Sequence, residues 1–483
     1  MIFIYIVLGL LGVLIVLLLI ALINSFMIKD KNNDIKPLDI DKEKTEEYAK
    51  EFSRMIQVKT ISYSQEENNV ESFDELQVLM KELFPNVYKT VDETVFDSRA
   101  LLLKWPGKNS EKPMVLMAHQ DVVPANKNDW NHDPFSGDIT KEDIHGRGTL
   151  DTKCTLYAFF KAVDELIATG YVPEQDVYLS SSSDEETSGT GALSSVEYLT
   201  EKGIKPYFVL DEGGAIVTGA LPSVSKPLAL IGVLEKGYVN FTIKAISKGG
   251  HSSTPAKNSP IARLSAFVND VETKFPLKTK MIPEVRDMFI NAAPAMSGPY
   301  RYLFGNMWLF KPLITFLLPK INPFGRALLS TTIAFTMQKG SDAENVIPSE
   351  AYVMANLRLH PIQGIKDTYE VLNNIAKKHD LTIEVSGDRD ASPISKTDND
   401  VYKYLTETII KNFPDVLVSP YIMLGSSDCR FFSEITDSAY RFSPTRLDNE
   451  ELSKMHGKNE SIRKSTITEA VNFYKDIIVN YNL

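Results

Sequence analysis

Two of the seven histidines, His119 in MAHQDVVPA and His456 in KMHGKNE, stand in contexts that suit metal ligation. Asp121 follows His119 by two positions, and a carboxylate near a ligating imidazole is a common device for fixing its tautomer. Carboxylates supply the remaining donors. Asp151 in GRGTLDTK sits in a glycine-flanked turn ahead of a helix, and its two oxygens can bridge two ions roughly 3.5 to 4 Å apart; taken alone it reads equally as a helix cap. The run SSSSDEETSG puts three acids in succession after an apolar stretch. They repel one another unless a cation neutralises them, the plain alternative being a solvated loop. VLDEGG adds Asp211 and Glu212 before two glycines. Two histidines and several carboxylates form an N/O donor set that suits zinc and can satisfy two ions through one shared carboxylate. With Glu185 and Glu186 adjacent, one can ligate while the other faces a metal-bound water. It would take the proton as hydroxide attacks a carbonyl and return it to the leaving amine.

The elements that must position these residues follow from periodicity. Asp41 to Val58 has the spacing of an amphipathic helix, with Tyr48, Phe52, Met55 and Ile56 on one face, and a second helical pattern covers Glu71 to Leu83. Apolar runs then alternate with helical stretches: RALLLKW, PMVLMAH, a helix from Thr155 to Ala168, DVYLSSSS, a helix from Leu193 to Glu201, and YFVLDE. That order predicts an α/β domain with a mostly parallel sheet. In such sheets ligand groups gather beyond the carboxyl ends of strands, which is where His119, Glu185 with Glu186, and Asp211 with Glu212 fall. From residue 237 the pattern changes to alternating strands (YVNFTIKAIS, AYVMANLRLH, LTIEVSG) and helices over Pro260 to Phe275 and Ile365 to His379. A smaller α+β domain is expected there. The predicted organisation is a membrane anchor (1–28), a linker (29–40), a catalytic domain in two parts (41–236 and 389–483) and an inserted lid or dimerisation domain (237–388).

Composition narrows the function. A net charge of −11 and the lack of a basic, aromatic-interleaved patch argue against a nucleic-acid partner. Two cysteines, Cys154 and Cys429, supply neither a disulfide framework nor a CxxC knuckle, so a metal must be held by His and carboxylates. Ile2 to Ile23 carries no charge, and as a helix it would span about 33 Å against a hydrocarbon core of about 30 Å. Without a basic n-region or an AxA-like site it reads as an uncleaved single-pass anchor rather than a signal peptide. The insertion RYLFGNMWLFKPLITFLLP is apolar but interrupted by Arg301, Lys311 and Pro312, which argues against a second span. It reads as an acyl-chain groove, a segment dipping into the membrane surface, or a buried helical hairpin.

In order along the chain, HQDVVPA, WNHDPFSGDI, GRGTLDTK, DEETSG, LDEGG, GGHSSTP, ENVIPSEA, NLRLHP, GSSDCRFF and HGKNE resemble the di-zinc aminoacylase and carboxypeptidase family of metallopeptidases. The resemblance is strongest to its carboxypeptidase S and N-fatty-acyl-amino-acid synthase/hydrolase subgroup. It implies a zinc-peptidase-like catalytic domain and two zinc ions: His119 and an acid of the DEGG turn on one, Glu186 and His456 on the other, Asp151 bridging and Glu185 as base. Asp211 and Glu212 are left as alternatives, since they point to opposite faces of a strand. The peptide after Asp151 is often cis in this family. The resemblance also implies that His251 polarises the scissile carbonyl, and that Asn345, Arg358 and the turn of Gly425 and Ser426 bind the substrate's carboxylate, for which an Arg fork is suited. His251 and Arg358 read otherwise as a turn histidine and a surface strand residue. His132, His145, His360 and His379 receive no role.

The leading function is therefore hydrolysis, or reversible formation, of the amide bond of a small N-acyl amino acid, with a carboxypeptidase or dipeptidase as runner-up and a homodimer admitted. An inactive membrane-tethered binding protein is the reading from another class; it has no need of Glu185 and a full ligand set. A cysteine nucleophile finds no supporting His or Asn.

Overall fold

The computed structural model describes residues 1–29, 40–63, 70–221 and 223–483; the expected linker falls largely on residues 30–39, outside this set. The described chain forms two compact units, one of Met1–Val233, Asp287–Met307 and Pro393–Leu483, the other of Leu234–Arg286 and Trp308–Ser392. Asp287–Met307, inside the stretch expected to be inserted, clusters with the first unit.

The first unit carries a ten-stranded mixed sheet. Its centre is parallel: Gln175–Ser181 and Phe208–Asp211 flank Asn109–Met117, and Ala439–Arg441 continues beyond Phe208–Asp211. The flanks are mostly antiparallel, Asp92–Val95 pairing with Leu101–Trp105 and Ile216–Val217 with Leu228–Glu235, while the edge strand Arg446–Leu447 runs parallel to Ile216–Val217. The parallel portion is thus narrower than expected, for a simple reason: Asp92–Val95 and Leu101–Trp105 are joined by five residues, enough for a hairpin but too few for a parallel crossover.

Behind the parallel strands runs the helix Lys153–Ala168, buried on every face from Lys153 to Asp164. It packs against the closing helix Lys464–Val479 and against Lys42–Gln57. The last of these is amphipathic, buries Tyr48, Phe52, Met55 and Ile56, and starts where the Asp41 side chain accepts hydrogen bonds from the N–H groups of Glu43 and Lys44.

In the second unit a four-stranded antiparallel sheet runs in the order Thr332–Lys339, Glu350–Leu359, Gly237–Ile246, Thr382–Arg389. Val239, Phe241, Ile243 and Ala245 alternate inward to meet the helix Pro260–Lys274, whose Leu264, Phe267 and Val271 complete that core. Thr332–Lys339 escapes sequence reading because it is an edge strand with no buried residue and so carries no alternation.

The N-terminal helix Ile2–Met27 is long and apolar enough to cross a membrane, and only Ala21 and Ser25 of it are buried. The apolar insertion forms the helices Gly298–Phe304, Met307–Ile321 and Pro323–Leu329. A buried hairpin does not describe it, since Trp308, Phe316 and Ile321 are 56%, 61% and 75% exposed.

Candidate active site

Three adjacent parallel strands deliver the donors at their carboxyl ends. His119 lies two residues beyond Asn109–Met117, Asp211 ends Phe208–Asp211, and Glu185 opens a short 3-10 turn, Glu185–Thr187, just after Gln175–Ser181. Asp151 stands immediately before the buried helix, with a cis peptide to Thr152. His456 follows the helix Asn449–Lys454 and has a φ of 54°, a left-handed conformation uncommon outside glycine.

Asp151 lies between the two histidines. Its Oδ1 is 3.0 Å from His119 Nε2 and its Oδ2 is 3.0 Å from His456 Nε2. His456 Nε2 is also 3.0 Å from Glu186 Oε2, while Glu186 Oε1 is buried with no hydrogen-bond partner among the described residues. The Asp151 and Glu186 hydrogen bonds raise the His456 pKa to about 10. Carboxylates that hold a proton this firmly would hold a dication in its place. His119, Asp151 and Glu186 each offer a ligand atom within 4.8 Å of the others, so this group could hold a metal ion. The N/O donors and the unpartnered Glu186 oxygen fit such an ion.

Asp121 works through both its main chain and its side chain. Its carbonyl oxygen is 2.9 Å from His119 Nδ1, closer than its own carboxylate at 3.3 Å, and it fixes Nδ1 as the donor so that Nε2 faces Asp151. The carboxylate instead accepts the N–H groups of Glu185 and Glu186 at 3.2 and 3.1 Å, setting the glutamate turn. Asp184, the first acid of the run, is structural: it accepts from the N–H groups of Thr190 and Gly191, and a Cβ at Gly189 would fall 2.0 Å from its Cγ.

Burial lifts the Glu185 carboxyl well above the ordinary range against the pull of His119, and Asp428, Asp121 and Glu186 add to the rise. A carboxyl whose charged form is disfavoured in this way is suited to accept and return a proton. Glu185, His119, Asp211, Glu212 and Asp428 line one small cavity. The Asp211 oxygens accept the N–H groups of Glu212 and Cys429, each at 2.8 Å. Burial, then Asp151 and Asp211, raises the Glu212 carboxyl well above its usual range. Both acids of the DEGG turn therefore line the cavity.

Several residues that hold the site carry no role in the sequence reading, although they lie inside the quoted motifs. Glu460, fully buried, accepts the N–H groups of Leu150 and Asp151 at 2.7 and 3.3 Å and pairs with Arg147 at 2.5 Å. Arg147 also donates to Gly457 O at 2.6 Å, so one ion pair ties the Asp151 turn to the His456 loop. Lys153 Nζ donates to the carbonyls of Met55 and Val58 at 3.0 and 2.7 Å, anchoring the same turn from behind. In the loop that continues from Gly425 and Ser426, Asp428 accepts from Ser182 Oγ, and Arg430 Nη1 stands 4.0 Å from Glu185 Oε1. Burial pushes the Cys154 thiol up to about 12, which leaves it inert.

His251, Asn345 and Arg358 belong to the second unit. His251 pairs with Val346 across a two-residue ladder, and Ser252 N donates to Asn345 O at 3.0 Å, which makes the first two neighbours. His251 Nδ1 accepts the Ser253 N–H at 3.1 Å, so the proton of the neutral ring sits on Nε2. Arg358 lies over the Tyr238 ring at 4.8 Å.

The sequence profile described as Peptidase family M20/M25/M40 matches residues 115–480. The chain belongs to this family. Members similar to it include N-fatty-acyl-amino acid synthase/hydrolase PM20D1 of Xenopus tropicalis, 33% identical over 97% of this chain and 93% of the relative. Another is the Probable carboxypeptidase S-like 2 of Dictyostelium discoideum, 34% identical over 90% and 85%. Among solved structures, the M20 family metallo-carboxypeptidase Sso-CP2 from Sulfolobus solfataricus shares the fold, with a TM-score of 0.64 at 19% identity, covering 89% of this chain and 98% of its own. The M20 assignment makes the chain a hydrolase of the metallopeptidase type acting on small amide or peptide substrates, with the α/β architecture expected from the order of its elements.

Proposed function

We propose that the chain is a two-zinc amidohydrolase that cleaves, and in reverse forms, the amide bond of N-acyl amino acids. The observation that carries this reading is the double engagement of Asp151, one oxygen toward His119 and the other toward His456, which suits a carboxylate shared by two ions. His119 with Asp211 or Glu212 would hold one ion, Glu186 and His456 the other. When bound, zinc would supply Lewis acidity and lower the pKa of water to about 7. Glu185 would take a proton from the attacking water and give it to the departing amine, while Asp121 keeps His119 and the glutamate turn in place. The proposal keeps His251 as a donor to the carbonyl oxygen, and Asn345 and Arg358 of the second unit and Gly425 and Ser426 of the first as candidates for the substrate's carboxylate.

The acyl-amino-acid substrate is supported by the identity to the PM20D1 relatives, and the second reading, a carboxypeptidase, by the similar identity to the carboxypeptidase S-like relative. Elemental analysis together with hydrolysis of acetyl-amino acids, long-chain acyl-amino acids and dipeptides separates them. Two zinc ions per chain and release of free amino acid from acyl substrates are expected; turnover of peptides alone would select the carboxypeptidase, and metal without turnover an inert binding protein. The proposal includes single-pass membrane anchoring through Ile2–Met27, supported by its exposed apolar surface. It leaves room for a homodimer, which light scattering decides.

A further inference from the structure

The foot of the N-terminal helix is bonded to the first unit over an unexpected length. Tyr302 Oη donates to Leu18 O at 3.0 Å. Asn306, fully buried, donates from Nδ2 to Ala21 O at 2.9 Å and Ser25 Oγ at 3.1 Å, and its Oδ1 accepts from Asn24 Nδ2 at 2.9 Å. Arg301 donates to Ile28 O. The body therefore grips the helix from Leu18 to its end, about 13 Å of its axis.

That grip conflicts with a helix whose body stands clear of the bilayer. Leu18 to Ile23 lie within both the gripped stretch and the uncharged apolar run, so holding every gripped residue in water would leave that end of the run outside the hydrocarbon it is composed for. The polar Asn24 and Ser25 follow directly, so the groups bonded to Leu18 and Ala21 fall at the acyl boundary. The gripping segment has the chemistry of that boundary. Tyr300 is 42% exposed, and Tyr302 and Arg301 combine apolar bodies with polar ends. Asn24, costly in hydrocarbon, is satisfied by Asn306.

Resting on the anchoring proposed above, we infer that Gly298–Met307 is a membrane-docking surface whose partner is the headgroup–acyl boundary of a lipid bilayer. The catalytic unit is seated on the bilayer by its grip on the helix, instead of swinging on a tether.

The test uses the full chain in phosphatidylcholine liposomes containing lipid brominated near the top of the acyl chain, with tryptophan emission compared between wild type and Tyr300→Trp. The difference isolates the probe at position 300 from the three native tryptophans. Bromolipid is expected to lower that component roughly twofold, as for an interfacial aromatic, and Asn306→Ala in the same background, which loosens the grip, should restore it. Carbonate washing of the same liposomes separates docking from anchoring. A carbonate-resistant chain whose probe at position 300 is untouched by bromolipid and quenched by aqueous iodide overturns the docking and leaves the anchor standing. A chain released by carbonate overturns the anchor and the docking together.

Discussion

Asp151 faces His119 with one oxygen and His456 with the other, and an amide in its place offers one oxygen and one N–H donor. Asp151→Asn is therefore expected to lose metal, whereas Glu185→Gln should keep its full metal content and lose about 10²- to 10⁴-fold in kcat. Elemental analysis beside steady-state rates checks both; a Glu185→Gln protein that loses zinc would make that residue a ligand instead of a base. The DEGG acids are separated the same way. Asp211→Asn and Glu212→Gln should differ, one dropping about one equivalent of metal and the other keeping both, although both side chains line the same cavity, Glu212 lying past the end of the strand.

At the scale of elements, the Asp151 turn and the His456 loop meet through Arg147 and Glu460. Glu460→Ala leaves Arg147 buried and uncompensated, so the chain is expected to lose about 3 to 5 kcal/mol of stability, read by urea unfolding. Metal affinity should fall about 10- to 100-fold as the turn loosens. A second network joins three helices: Glu165 accepts from Tyr48 at 2.6 Å, from Lys44 at 2.8 Å and from Lys475. Burial opposes the Glu165 charge, yet these three partners bring its pKa down to about 2. The two lysines respond unequally, Lys44 rising through its Glu165 hydrogen bond while burial pulls Lys475 down. Since the folded value lies below the unfolded one, the stabilisation is complete above the ordinary glutamate range and is lost as pH falls toward 2. Allowing for solvent screening it amounts to about 1 to 2 kcal/mol. The stability gap between wild type and Glu165→Gln should accordingly be present at pH 7 and shrink steadily below about pH 4.5.

At the scale of the molecule, two bound ions would stabilise the folded chain by mass action, about 2.7 kcal/mol for each at a hundredfold excess over its Kd. Chelation should lower Tm and zinc should restore it; an unchanged Tm would mean that no ion is held. What sequence made legible here is what repeats with a period or clusters by type. Helices such as Lys42–Gln57 announce themselves by their apolar face, His119, Glu185 and Glu186 by donor chemistry at strand ends, and Asp151 and His456 by the motifs around them. Glu460, Arg147 and Lys153 act on main-chain groups far along the chain, so their partners have no sequence signature. Asp121 is legible in part: its carboxylate stands 3.3 Å from His119 Nδ1, as the spacing predicts, but it also accepts two backbone N–H groups that no spacing announces.

The pairing of Arg147 with Glu460 spans 313 positions, and this has a consequence for biosynthesis. A polypeptide still emerging from the ribosome has its first histidine and Asp151 long before the glutamate that steadies them, and before His456. Until His456 and Glu460 are made, the chain lacks one of the donors proposed for the metal pair and the carboxylate that steadies the Asp151 turn, so a chain that stops short of His456 should be as silent as the Glu185→Gln variant.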